Sequence, residues 1–195
     1  MTWFYAILTG VEDLATKISS FASALKEKFD ELVVGTIFDG KSHTSFTDNT
    51  LFDFSITNKV PITSTDNTIV TIEQVTCSMT NSYMDKSKIY AAIEIASRIP
   101  VPLLPDYAMT SLTTYSIYCS SADKSNSSQW CTSPSQLIYD QGEYAKKFYT
   151  GIFLDALDFD DYECNCECGK YPVTNIAIDG WTESPFKDCP ALNKN

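Results

Sequence analysis

Apolar residues recur at alternating intervals of three and four between residues 4 and 32, a spacing that predicts one amphipathic helix. Charged residues such as Glu12 and Lys17 lie off this stripe, and Gly35 follows it where a left-handed cap is expected. The same stripe fits self-association in a short coiled coil, packing on the chain's own domain or, with less support, a membrane surface. The predicted oligomerisation residues are Phe4, Ile7, Val11, Leu14, Ile18, Phe21, Leu25 and Leu32.

Beyond residue 35 the pattern changes to short runs of β-branched and aromatic residues separated by turn signals. Many short strands at such spacing are typical of an antiparallel β-sandwich or barrel-like domain. The run at 88–96 is ambiguous, because its apolar residues also fit a helical stripe. The predicted strands are 51–56, 68–77, 88–96, 112–119, 137–140, 147–157 and 174–181.

The expected fold is therefore mainly β with an N-terminal α-helix. We divide the chain into an oligomerising helix, residues 1–34, and a β-rich globular domain, residues 35–195. A length of 195 residues with 44% hydrophobic residues is sufficient for one domain with a full core.

The formal net charge of -11 argues against nucleic acids and anionic lipid surfaces as partners, because both repel an acidic protein. The apolar start, MTWFYAILTG, ends by Glu12 and lacks the basic leader of a secretory signal. No apolar run approaches the roughly 20 residues that cross a bilayer, so membrane insertion is not expected.

One stretch matches the phosphate-binding loop G-x-x-x-x-G-K-[ST] through Gly35, Gly40, Lys41 and Ser42. Such a loop needs a buried strand before it and a helix that starts at the lysine. Here the predicted helix precedes the motif and a poor helix start follows it. Nucleotide binding is therefore only the third functional interpretation.

Seven cysteines are the other chemical feature, and three of them alternate in DYECNCECGK, residues 161–170. On an extended strand these three share one face and lie too far apart to bond one another, so partners elsewhere are expected. Cys119 and Cys131 bracket a serine-rich loop and form a plausible local staple. The disulfide candidates are Cys119, Cys131, Cys164, Cys166, Cys168 and Cys189.

Two alternatives to disulfides remain open for these cysteines. They are unpaired thiols, or a metal site at Cys164, Cys166 and Cys168 if the chain bends after the last of them. The neighbouring acids, residues 155–163, fit a solvated acidic turn better than a calcium loop. No catalytic constellation is recognisable, so no enzymatic activity and no cofactor are expected.

The stretch VEDLATKISSFASALKEKFDEL resembles the amino-terminal helices of tailed-phage fibre and virion-appendage proteins. That resemblance implies a homotrimeric structural protein of the virion, in contact with copies of itself and with other structural proteins. The alternative hypothesis is a secreted, disulfide-stapled, non-enzymatic binding module, located outside the cell, whose helix packs in cis.

Overall fold

The computed structural model describes residues 12–29, 33, 35–38, 53–57, 86–103, 107–120 and 132–193. Contacts divide the chain into two compact units, Met1–Ala92 with Phe148–Phe153, and Ile93–Lys147 with Leu154–Asn195. The sequence-based division into residues 1–34 and 35–195 stays a prediction.

The described elements are six strands and four α-helices. The strands are β1 (Gly35–Phe38), β2 (Phe54–Thr57), β3 (Ile89–Glu94), β4 (Ser97–Leu103), β5 (Tyr107–Thr113) and β6 (Gly151–Asp155). The helices are α1 (Glu12–Lys28), α2 (Tyr115–Ser120), α3 (Ser135–Phe148) and α4 (Pro172–Trp181). Short 3₁₀ turns cover Lys86–Lys88, Leu157–Phe159 and Pro190–Asn193.

Four strands form a sheet in the order β1-β2-β3-β6, and its pairing is parallel. Gly35 pairs with Phe54, and Ser55 pairs with Ile89, both in parallel register. At β6, Thr150 N–H donates to Ile89 O and Ile95 N–H donates to Asp155 O, each at 2.9 Å. From the first of these bonds to the second, the residue numbers increase on both strands, so β6 also runs parallel to β3.

The antiparallel β-sandwich predicted from the sequence is therefore wrong, and the fold is mixed α/β. Parallel neighbours need a long crossover between them, usually helical, whereas the prediction assumed short turns. The strands predicted at 112–119, 137–140 and 174–181 are largely or wholly helical. The strand predicted at 68–77 lies outside the described residues.

Strand β3 settles the ambiguity at 88–96 in favour of a strand. Ile89, Ala91 and Ile93 are all at most 3% exposed and recur every second residue. Where β2 ends, the hydroxyl of Thr57 accepts a hydrogen bond from Ala92 N–H at 2.9 Å. The Thr57 hydroxyl thus serves as the acceptor for Ala92 N–H at the point where β2 ends.

Helix α1 packs within its own unit. Ala22 is 3% exposed, whereas Phe21, on the predicted seam, is 57% exposed, so at this turn the buried residue is not the one on the seam. Lys26 Nζ forms an ion pair with Asp53 at 2.9 Å, which ties the helix to the start of β2. These contacts agree with the alternative in which the helix packs in cis. Self-association stays a prediction.

Strands β4 and β5 pair in antiparallel register from Ser97–Thr113 to Leu103–Tyr107. Both strands of a two-stranded sheet are edges. Pro100 and Pro102 fit such a position, because proline has no N–H to donate to a second neighbouring strand. Within the described residues, no helix combines the length and hydropathy needed to cross a bilayer.

Two glycines allow α3 and α4 to approach closely. A Cβ added to Gly142 would contact the backbone of Ala177 and Trp181, and one added to Gly180 would contact the carbonyl of Tyr139. Lys146 Nζ lies 5.2 Å from the centre of the Trp181 ring at the same contact. The two helices therefore meet backbone to backbone.

We expect Gly142→Ala to destabilise the protein by about 1–3 kcal/mol, because backbone atoms cannot yield as a flexible side chain can. Urea unfolding monitored by circular dichroism measures the change. Lys147→Ala, at an exposed position of the same helix, is the control and is expected to change stability by less than about 0.5 kcal/mol. Equal midpoints for the two variants would contradict the close contact.

The C-terminal segment holds the start of α3. The fully buried Ser135 donates its hydroxyl to Asp188 at 2.6 Å, and its N–H donates to Asn193 Oδ1 at 2.9 Å. The amide of Asn193 donates to Asp188 at 2.7 Å. Side chains distant in sequence thereby cap the first turn of the helix.

The hydrogen bond from Ser135, followed by that from Asn193, lowers the pKa of Asp188 from 3.8. A group whose pKa is lower in the folded than in the unfolded protein stabilises the fold at pH values above its unfolded-state pKa. This stabilisation is lost as the pH falls through the folded-state pKa. We therefore expect the difference in melting temperature between the unsubstituted protein and Asp188→Asn to be constant near neutral pH and to shrink below about pH 4. A difference independent of pH would contradict the ionised carboxylate as acceptor.

Candidate functional site

Two acidic residues occupy the last positions of neighbouring parallel strands. Glu94 ends β3 and Asp155 ends β6, and both side chains are half-buried. The bond from Ile95 N–H to Asp155 O holds the two strand ends side by side. Adjacent strands lie about 4.8 Å apart, so the two carboxyl groups start from neighbouring backbone positions.

The two carboxyl groups lie on the same face of the sheet. A Cβ added to Gly151 would contact the ring of Tyr90 at 2.8 Å, so these two positions share a face. Side chains alternate between faces along a strand, so Glu94 lies on the face of Tyr90 and Asp155 on that of Gly151. The absence of a side chain at Gly151 leaves the space that Tyr90 fills.

A buried tyrosine lies close to this edge. Tyr115, the first residue of α2, is 1% exposed. Burial raises the pKa of its hydroxyl well above the usual value, a hydrogen bond with the backbone of Ser133 opposes the rise, and the charges of Asp160 and Glu94 add to it. The hydroxyl therefore stays protonated, and the charge of Glu94 acts on it.

Asp160 fixes the segment that follows β6 to the start of α4. Its carboxylate is fully buried and accepts hydrogen bonds from Thr174 N–H at 2.8 Å and Val173 N–H at 3.3 Å. These are N–H groups of the first helical turn, which have no partner within a helix, and a negative charge there is also favoured by the helix dipole.

Asp161 organises the next part of the same loop. Its fully buried carboxylate accepts hydrogen bonds from Cys166 N–H at 2.7 Å, Asn165 N–H at 3.1 Å and the hydroxyl of Ser116 at 2.7 Å. The predicted solvated acidic turn is therefore wrong for Asp160 and Asp161, whose carboxylates are buried because backbone donors surround them.

Two disulfides complete the loop, Cys119–Cys166 and Cys168–Cys189. The suggested Cys119–Cys131 staple does not form, because Cys119 is bonded elsewhere, and Cys131 lies outside the described residues. Cys164 is the free cysteine of the described part of the chain.

The alternating cysteines do not lie on one strand. Cys164 and Glu167 have positive φ angles of 64° and 60°, so the segment turns repeatedly. Cys166 and Cys168 are disulfide-bonded and cannot serve as thiolate ligands. Within the described ranges, no group of three potential metal-ligating side chains occurs.

The phosphate-loop motif also has the wrong local structure where it is described. Gly35 begins β1, whereas the first glycine of a phosphate loop follows its strand. A Cβ at Gly35 would overlap the ring of Phe54, so packing explains the glycine. Gly40, Lys41 and Ser42 lie outside the described residues.

The candidate site is therefore the edge of the sheet that bears Glu94 and Asp155, together with Tyr115 and the loop at 156–171. In barrels of alternating strands and helices, active sites form at the carboxyl ends of the strands and in the loops that follow them. The sequence analysis did not identify Glu94 or Asp155 as a pair. The available signal was that the apolar runs IYAAIE and GIFLD both end in an acid.

No protein-family model and no curated protein sequence matches the chain. Solved structures do match. Catalytic domain 2 of the Ostrinia furnacalis Group II chitinase aligns with a TM-score of 0.67 and 11% identity, over 92% of this chain and 63% of that domain. The Ostrinia furnacalis Group IV chitinase aligns with a TM-score of 0.67 and 16% identity, over 91% and 65%.

Human YKL-39, described as a pseudo-chitinase with retained chitooligosaccharide binding, aligns with a TM-score of 0.58 and 10% identity, over 88% of this chain and 64% of YKL-39. The chain thus spans less than two thirds of the length of these proteins. At such identities the similarity establishes the fold alone. The chain has a chitinase-like fold of the TIM-barrel type.

The comparisons correct the functional prediction from the sequence. A phage fibre protein with a coiled-coil stalk and a β-sandwich is contradicted, because the matching folds are chitinase-like. The two disulfides indicate folding in an oxidising compartment and give a virion location no support.

Proposed function

We propose that the protein is an extracellular carbohydrate-binding protein that takes chitooligosaccharides at the edge formed by Glu94 and Asp155. The observation that carries the proposal is the position of these two carboxyl groups at the carboxyl ends of adjacent parallel strands. The chitinase-like fold supports it, and the structurally similar YKL-39 is described as retaining chitooligosaccharide binding.

The chemistry of the edge suits a neutral, hydroxyl-rich ligand. Carboxylates accept strong hydrogen bonds from hydroxyl and amide N–H donors, both of which N-acetylated sugars carry. The net charge of -11 repels anionic ligands but not an uncharged oligosaccharide. Asp160 and Asp161 contribute indirectly by fixing the loop above the edge.

Titration calorimetry of the full chain with tetra-N-acetylchitotetraose tests the proposal. We expect saturable binding that cellotetraose, which lacks the acetamido groups, does not reproduce at the same concentrations. No heat of binding up to about 1 mM sugar, equivalent to less than about 4 kcal/mol of binding free energy, would overturn the proposal.

Substitutions at the edge test which residues carry the binding. We expect Asp155→Asn and Glu94→Gln each to weaken binding by about tenfold or more, because each removes a charge-assisted hydrogen bond. Glu183→Gln, at an exposed position after α4 and outside the candidate site, is the matched control and should bind as the unsubstituted protein does. Equal affinities for all three variants would place the ligand elsewhere.

A second candidate function is hydrolysis of the same sugars. Many glycosidases act with a pair of Asp or Glu residues on either side of the scissile bond, and Glu94 and Asp155 are such a pair on one face. In this function one carboxylic acid protonates the leaving oxygen as the glycosidic bond breaks, and the other carboxylate stabilises the positive charge at the sugar carbon. Water then adds to that carbon and gives a proton back to the first carboxylate. Reducing-end release is then expected to fall about 10²–10⁴-fold in either amide variant. If the sugar binds but no reducing ends are released, hydrolysis is excluded and only the binding function remains.

A further inference from the structure

The two disulfides differ in their access to solvent. Cys119 and Cys166 are 5% and 4% exposed, so that bond is buried on both sides. Cys168 is half-buried, whereas its partner Cys189 is 1% exposed. Cys168 is therefore the most exposed of the four disulfide-bonded cysteines.

A cleft of about 400 Å³ leads to the second disulfide. Cys168 and Cys189 line it, between α4 and the C-terminal segment that contains Lys187 and Asp188. Ile178, which is 40% exposed, also lines the cleft. A small solute that enters this cleft meets the Cys168–Cys189 disulfide.

The C-terminal end of this disulfide is coupled to α3. Cys189 is followed by the 3₁₀ turn Pro190–Asn193, and Asp188 and Asn193 bind Ser135 at the start of the helix. Breaking the bond at Cys189 removes the covalent anchor of the segment that caps α3.

We propose that Cys168 is a thiol-exchange site at which small thiols open the Cys168–Cys189 disulfide selectively. The thiolate of the incoming small thiol attacks Cys168 Sγ and forms a mixed disulfide with it. The bond to Cys189 Sγ breaks, and Cys189 leaves as a thiolate that takes a proton from water. A second small thiol then releases Cys168 as a free thiol and leaves as the symmetrical small-molecule disulfide.

The direction of attack follows from burial. An external thiolate approaches the more exposed sulfur, and exposed disulfides are the ones that exchange most readily. The buried Cys119–Cys166 bond, only two residues from Cys168 along the chain, provides an internal comparison of the same chemistry.

Reduction of the native full chain tests the proposal. Free thiols are first blocked with iodoacetamide, 2-mercaptoethanol is added without denaturant, and new thiols are labelled with a second alkylating reagent and located by mass spectrometry. We expect label and mixed disulfide at Cys168 to appear on the order of tenfold faster than label at Cys119 and Cys166. Equal rates for the two bonds, or reduction only in denaturant, would overturn the proposal.

A pair of matched variants tests the route. Ile178→Trp adds bulk at the cleft and should slow opening of Cys168–Cys189 severalfold. Leu157→Trp makes the same kind of change at a position that is 48% exposed and outside the cleft lining, and should leave the rate unchanged. Equal rates in both variants would exclude the cleft as the route of entry.

Discussion

Asp161→Ala is expected to destabilise the protein by about 4 kcal/mol, because it leaves two buried donors without their acceptor. The donors are Cys166 N–H and the hydroxyl of Ser116, both 2.7 Å from the carboxylate. Each buried donor left unsatisfied costs about 1–3 kcal/mol. Chemical denaturation followed by tryptophan fluorescence measures the free energy of unfolding.

Two further variants serve as comparisons. One keeps the side-chain volume at Asp161, and the other removes an exposed acid from the same segment. Asp161→Asn keeps one acceptor oxygen, so its stability should lie between those of the alanine variant and the unsubstituted protein. Asp158→Ala removes an exposed acid from the same segment and should change stability by less than about 0.5 kcal/mol. An alanine variant at Asp161 as stable as that control would show that the buried carboxylate does not organise the loop.

Removal of the Cys119–Cys166 disulfide by a double substitution to alanine is expected to cost about 4 kcal/mol. The bond closes a loop with a sequence separation of 47 residues, and its loss restores the chain entropy of that loop to the unfolded state. Thermal unfolding by calorimetry, compared at equal pH, gives the loss.

The second disulfide closes a shorter loop, so its removal should cost less stability. Cys168–Cys189 closes a separation of 21 residues, for which the same entropy relation gives about 3 kcal/mol. The double alanine variant at that bond should therefore be the more stable of the two. A larger loss at Cys168–Cys189 would indicate that contacts of the C-terminal segment, rather than loop entropy, dominate.

Elements with a strong local pattern were predictable from the sequence. The heptad spacing predicts α1, and the described helix covers Glu12–Lys28 of that stretch. The apolar runs at 88–96 and 147–157 predict β3 and β6, because buried strands of a parallel sheet are nearly continuous in hydrophobicity. No local pattern distinguishes parallel from antiparallel pairing, because the direction depends on the connections between strands. The predicted antiparallel arrangement is wrong for this reason.

The short apolar runs 137–140 and 174–181 predict strands because runs of four to eight residues fit a strand and a buried helix equally well. Ile138, Gly142 and Ala145 are buried at intervals of four and three, which is a helical face that only the full 14 residues reveal. In α4, Val173, Ile176 and Ala177 follow the same rule after Pro172 at the first turn. Tertiary packing, not β propensity, decides both segments.

The candidate site depended on pairings that are remote in sequence. Glu94 and Asp155 become neighbours only through the order of the strands, and Cys119 meets Cys166 only through the path of the loop. A sequence pattern identifies the residue types but not these partners. The acids near residue 160 illustrate the limit, since the same string fits a solvated turn or a buried set of hydrogen bonds.

Carboxyl footprinting shows directly whether the sugar covers Glu94 and Asp155. The full chain is treated with a carbodiimide and an amine in the presence and absence of saturating tetra-N-acetylchitotetraose, and modified acids are located by mass spectrometry. We expect the sugar to protect Glu94 and Asp155 and to leave Glu183, which is exposed and outside the candidate site, equally modified in both samples. Unchanged modification of Glu94 and Asp155 with the sugar present would contradict the assignment of the binding site to this edge of the sheet.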